Sequence, residues 1–134
     1  MLLKKICLID DDDIVVLLVS GLLKRMTQEV DRFWAYSNGQ EALSELNQLS
    51  QAAFPDLILL DLKMPVMDGH DFLKLYSESL LLQYPNTKLV ILTSSLQKQD
   101  QWNCSQYSFL SGYLVKPLLL TQLTDLLEKG SLLH

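Results

Sequence analysis

Nowhere in the 134 residues do lysine and arginine cluster into a run. Acidic residues number 16 against 11 basic ones, for a net charge of −5. Nucleic acid, whose phosphates demand clustered cations, is therefore not expected as a partner. Cysteine is scarce. Cys7 and Cys104 lie far apart in the chain, and Cys7 sits inside an apolar run. Both read as reduced core thiols of a cytoplasmic protein, not as a disulfide. No apolar stretch reaches the roughly 18 residues of a membrane span, so no membrane contact is expected. The opening MLLKKICLIDD turns acidic too soon for a secretory signal. Linkers, internal repeats and low-complexity segments are also missing, which predicts one domain over 1–134. What is abundant is apolar side chain, at 49% of residues with 20% charged. That supports a real core and excludes a disordered chain.

The densest local feature is KICLIDDDDIVVLL, where an apolar run meets four consecutive aspartates. One aspartate suits a helix N-cap and the positive end of the helix dipole. Four exceed that need, because crowded carboxylates resist ionising unless something offsets their charge. A cation site is the competing reading.

The rest of the chain alternates two patterns. Strands are expected at 6–9, 30–36, 54–61, 88–93 and 112–115, and the run at 6–9 lacks polar alternation, as in a strand covered on both faces. Helical stretches follow at 14–26, up to about 50, 70–83, more weakly 97–109, and 118–128. LKMPVMDG forms a loop with Asp68-Gly69 as its turn. Five βα repeats argue for a parallel sheet with helices on both faces. Ligands of such sheets bind beyond the carboxyl ends of the strands. At those ends stand the acidic run, Asp61, Thr93 with Ser94, and Lys116 followed by Pro117. Taken singly, each has an ordinary explanation: a turn opener, a β-former or a solvated charge. Gathered on one rim, they suit phosphoryl transfer to a carboxylate. Asp61 would be the nucleophile that forms an acyl phosphate. A divalent cation would offset the repulsion between acids and phosphate. Lys116 would pair with a phosphate oxygen and Thr93 would hydrogen-bond another. On this reading Asp10 and Asp11 serve the cation, and Asp12 or Asp13 caps the helix.

The stretches ICLIDDDD, SNGQEAL, PDLILLDLKMPVMDG, VILTSS and GYLVKP, in this order across nearly the whole chain, resemble the receiver domains of two-component response regulators. The resemblance implies a flavodoxin-like, doubly wound α/β fold with strand order 2-1-3-4-5. It implies that Asp61 accepts phosphate from a histidine kinase or phosphotransfer protein and then switches partner binding. Asp10 and Asp11 would form the acid pair for Mg²⁺ (or Mn²⁺), with Asp11 and Asp61 as ligands and the Lys63 backbone carbonyl as another. Thr93 and Tyr113 would be the switch residues, Lys116 the phosphate-binding lysine, and the Lys116–Pro117 bond cis.

Other functions fit less well. Phosphatases that form an aspartyl intermediate and are similar to haloacid dehalogenases need an acid two residues after the nucleophile, where this chain has Lys63. A flavin phosphate would be repelled by the aspartates. A degenerate receiver used only for docking would not need the full set of acids, Thr93 and Lys116. Since the receiver pattern occupies the whole sequence, no separate output module is expected, and the protein would catalyse only its own phosphorylation and dephosphorylation. One surplus remains. Residues 14–19 are all apolar, and six consecutive positions circle a helix. Ile14, Leu17 and Leu18 are expected to face the core. That leaves Val15, Val16 and Val19 exposed to dock a phosphodonor.

Overall fold

The computed structural model describes residues 4–26 and 30–129. These form five strands and six helices: β1 Lys5–Ile9, α1 Asp13–Lys24, β2 Arg32–Tyr36, α2 Gly39–Leu46, β3 Leu57–Leu60, α3 Gly69–Glu78, α4 Leu80–Gln83, β4 Lys88–Thr93, α5 Lys98–Ser105, β5 Leu110–Val115 and α6 Leu120–Lys129. All strand pairings are parallel, in the order β2-β1-β3-β4-β5. This is the expected flavodoxin-like arrangement.

Alternation along the strands builds two cores. Cys7, Ile9, Ile58, Leu60 and Ile91 face one side and pack with Ala42, Leu46, Phe72, Leu73, Tyr76 and Cys104 of α2, α3 and α5. Ile6, Leu8, Leu57, Leu59, Val90 and Leu92 face the other and pack with Val19 and Leu23 of α1 and Leu123, Leu126 and Leu127 of α6. Strands covered on both faces need no polar alternation, which is why they read as continuous apolar runs. Both cysteines are buried and free.

Several elements differ from the sequence expectation, and the helix expected over 97–109 ends at Ser105. The helix expected over 70–83 is split at Ser79, whose hydroxyl donates back to the Leu75 carbonyl at 3.2 Å. Such back-bonding competes with the helix ladder. The second helix stops at Leu46, well short of residue 50, where the Asn47 side chain bonds the Leu43 carbonyl at 2.7 Å. The last strand starts earlier than expected, at Leu110, because a bulge between Leu89 and Val90 absorbs Ser111 and shifts the register.

The orientation of α1 overturns the expectation for its faces. Ile14, Leu17 and Leu18 are 66%, 71% and 56% exposed, whereas Val19 is buried and Val15 and Val16 pack against the core. The polar residues further along explain this. Gly21, Lys24 and Arg25 continue the face that carries Ile14, Leu17 and Leu18. Leu22, Leu23 and Met26 continue the face that carries Val15, Val16 and Val19. The apolar run alone could not distinguish the two.

Candidate functional site

Because all strands point the same way, their carboxyl ends share one rim. There Asp10 to Asp13, Asp61, Lys63, Ser94 and Lys116 line an open cleft. The acidic run divides its labour along the chain. Asp10 is buried and accepts from the Asp12 amide at 2.9 Å. Asp12 is the N-cap of α1, accepting from the Ile14 amide at 2.9 Å, and Asp13 is the first helical residue. Asp11 is left exposed at the cleft.

Asp61 follows β3 directly, and its amide bonds the Ile9 carbonyl at 2.9 Å, which fixes it beside Asp10. Carboxylate oxygens of Asp10, Asp11 and Asp61 lie within 4.8 Å of one another. Lys116 reaches in from the end of β5, 2.7 Å from Asp10 Oδ2 and 3.6 Å from Asp61 Oδ1. Its peptide bond to Pro117 is cis. The Lys116–Asp10 approach is an ion pair. Asp10 Oδ2 has no hydrogen-bond partner among the described residues. Three carboxylates thus face one ammonium. Asp61 is 4% exposed. Its pKa is pushed up to about 6, chiefly by burial and next by the Asp10 charge, with Lys116 and the amides of Lys63 and Leu62 opposing. Such a site is short of positive charge. Hard oxygen donors with spare lone pairs suit a small divalent cation.

The loop after Asp61 is folded tightly back. A Cβ on Gly69 would stand 2.4 Å from the Asp61 carbonyl oxygen and 2.7 Å from Leu62 Cα, so only glycine fits. At the loop's tip Val66 has φ 66°, spanned by a 2.7 Å bond from the Met67 amide to the Pro65 carbonyl. A β-branched residue in that region is strained.

Thr93 is fully buried at the end of β4, and its Oγ1 accepts from the Ser95 amide at 3.1 Å. Tyr113 lies half-buried on β5, and its hydroxyl is buried without a hydrogen-bond partner among the described residues. The Lys63 side chain turns away from Asp61 and pairs with Asp100 at 3.4 Å. Asp100, His70 and Ser95 were not foreseen. Asp100 sits in a stretch with little pattern, and its one sequence signal was an acid in the first turn of a helix.

Carboxylates at the strand ends, one lysine and a buried hydroxyl define an acidic cleft on a doubly wound sheet. The model of the response regulator receiver domain matches residues 6–128, and the chain belongs to that family. It is 28% identical over 129 residues to the hybrid signal transduction histidine kinase L of Dictyostelium discoideum, which covers 96% of this chain and 7% of the kinase. Other curated relatives are also longer, and the chain spans 37% and 55% of two of them. The structure of a two-component response regulator from Cytophaga hutchinsonii superposes with a TM-score of 0.84 at 29% identity, covering 96% of this chain and 97% of that one. The phosphorylated cyanobacterial phytochrome response regulator RcpA superposes at 0.73 and 28% identity, covering 95% and 90%. Receiver domains bind Mg²⁺ at an acidic pocket, and Asp10, Asp11 and Asp61 form an acidic cluster in this chain. They interact with histidine kinases or phosphotransfer proteins and are not enzymes in the ordinary sense. Among the described residues no helix is long and apolar enough to cross a membrane.

Proposed function

We propose that Asp61 accepts a phosphoryl group from a phosphohistidine donor protein, and that the resulting charge switches partner binding. The observation that carries this reading is the meeting of Asp61 with Asp10, Asp11 and Lys116 on one rim. An Asp61 oxygen attacks phosphorus, the phosphorus–nitrogen bond breaks, and the imidazole leaves with the electron pair and takes up a proton. The product is an acyl phosphate. Asp10, Asp11, Asp61 and the Lys63 carbonyl would hold Mg²⁺ or Mn²⁺. That ion supplies neutralisation of the negative charge gathered in the transfer. Lys116, already 3.6 Å from Asp61, pairs with a phosphate oxygen as a point charge.

The phosphoryl group adds about −1.5 to −2 charges and three acceptor oxygens. Thr93 turns its hydroxyl toward them, and Tyr113 repacks in the space released. The unpartnered Tyr113 hydroxyl supports this, because a buried polar group without a partner favours any arrangement that satisfies it. The donor docks on the exposed Ile14, Leu17 and Leu18 of α1, beside the cleft.

Labelling by acetyl phosphate with Mg²⁺ tests the acceptor. Wild type is labelled and Asp61→Asn is not; equal labelling of the two would overturn the reading. Leu17→Glu tests the docking face. It slows transfer from a protein donor about tenfold or more while acetyl phosphate labelling stays unchanged. Thr93→Ala retains labelling and loses the response of the partner.

A further inference from the structure

Helix α5 has an unusual attachment. Of its eight residues, KQDQWNCS, only Asp100 and Cys104 are buried, while Trp102 is exposed. Helices in proteins gain most of their stability from an apolar face, and one that is polar nearly all round needs another hold. Gln97 at its start gives no side-chain cap. The hold is Asp100, whose side chain is only 7% exposed. Its Oδ2 accepts from the Ser95 hydroxyl and lies 3.4 Å from Lys63 Nζ. Its Oδ1 lies 2.9 Å from His70 Nε2. These partners belong to the β4–α5 loop, the β3–α3 loop and the first turn of α3. The Ser95 hydroxyl, followed by the His70 and Lys63 contacts, holds the Asp100 carboxyl below the ordinary carboxylate range. The Ser95 amide in turn donates to Thr93 Oγ1 at 3.1 Å. One chain of hydrogen bonds therefore runs from Thr93, through Ser95 and Asp100, to His70.

We propose that Asp100 is the positioning residue that docks α5 onto α3 and passes the orientation of the Thr93 hydroxyl to that helix. The second half rests on the reading of Asp61 as phosphoacceptor. When the Thr93 hydroxyl turns toward a phosphoryl group, the Ser95 amide loses its acceptor and the Ser95 side chain loses its aim at Asp100. The same charge draws the Lys63 ammonium away from Asp100. A buried carboxylate that loses donors is costly, so α5 shifts until Asp100 reaches water.

Amide hydrogen exchange of α5 tests this in the full chain, with and without beryllofluoride and Mg²⁺. Without ligand, Asp100→Asn exchanges its α5 amides about tenfold faster than wild type, and α1 and α2 amides are unchanged. His70→Ala gives a smaller increase and His70→Gln, which keeps a donor, restores protection. Beryllofluoride speeds α5 exchange in wild type and adds little in Asp100→Asn. Equal ligand-free protection in wild type and both Asp100→Asn and His70→Ala would overturn the docking. An equal beryllofluoride response in wild type and Asp100→Asn would overturn the transmission. Fluorine NMR keeps the two readings apart. If wild type binds no beryllofluoride, the acceptor reading fails and the transmission falls with it, while the ligand-free comparison still decides the docking.

Discussion

Two aspartates bound the same strand. Asp56 precedes β3 and Asp61 follows it, yet their surroundings are opposite in kind. The Asp56 carboxylate accepts from the Lys4 and Lys5 amides, at 2.9 Å each, and so ties the start of β1 to the start of β3. Its main chain adds bonds to Lys5 and Lys88 at 2.8 and 2.9 Å. Asp61 has the Leu62 amide at 2.9 Å, but it lies buried in the cluster with Asp10 and Asp11, and burial first and the Asp10 charge second push it up to about 6. Residue type and strand are the same, so burial, donors and neighbouring charges decide the difference. A carboxylate surrounded by amides is structural. One crowded by other carboxylates carries unfavourable energy that a bound cation or a phosphoryl chemistry can draw on.

The widest separation between the two should appear in labelling. Asp61→Asn removes acetyl phosphate labelling altogether, and Asp56→Asn leaves it near wild type. If Asp56→Asn also abolished labelling in a protein of native circular dichroism, the division of roles would be wrong.

Stability should separate them with opposite sign. Asp56→Ala removes two charge-assisted bonds to amides and costs about 2–3 kcal/mol in urea unfolding. Asp61→Asn, in EDTA at pH 7, stabilises by on the order of 1–2 kcal/mol after allowance for solvent screening. The sign follows from proton binding. The Asp61 pKa is raised in the native state, to about 6 from the ordinary 3.8. Between those values the native state holds a proton that the unfolded state has lost, so stability falls as pH rises through that window. The gain from Asp61→Asn should vanish below about pH 3, where both states are protonated. A gain independent of pH would show that the site is not electrostatically strained.

Much of this was legible in the sequence. The inner strands β1, β3 and β4 are buried on both faces and read as apolar runs, and the parallel order places the strand ends together, so Asp10, Asp11, Asp61, Thr93 and Lys116 could be gathered on one rim from chain positions alone. Side-chain aim was less legible. Six apolar residues in α1 hide which face is buried, and the residues beyond them, Lys24 and Arg25 on one face and Leu22, Leu23 and Met26 on the other, break the tie. The Asp100 contacts with Ser95, His70 and Lys63 join segments up to 37 residues apart in the numbering, and no local pattern announces such pairings. Strain at Val66 was likewise invisible, since nothing in MPVMDG marks a valine for positive φ.

The smallest expected effect lies inside the acidic run and repeats the comparison over two adjacent residues. Asp12 accepts from the Ile14 amide and caps α1, whereas Asp11 faces the cleft with its carboxylate near Asp10 and Asp61. An N-cap aspartate replaced by alanine typically costs about 1 kcal/mol. Asp12→Ala should therefore lower stability by that amount in urea unfolding and leave Mg²⁺ affinity close to wild type. Asp11→Ala should do the reverse. Its side chain is exposed, so unfolding in EDTA changes little, while loss of one of few protein oxygens weakens Mg²⁺ severely. Mg²⁺ titration followed by the fluorescence of Trp34 and Trp102 reads the second quantity on the same samples. Loss of Mg²⁺ binding in Asp12→Ala but not in Asp11→Ala would move the ligand assignment one residue along the chain and make Asp11, not Asp12, the residue whose carboxylate serves the helix.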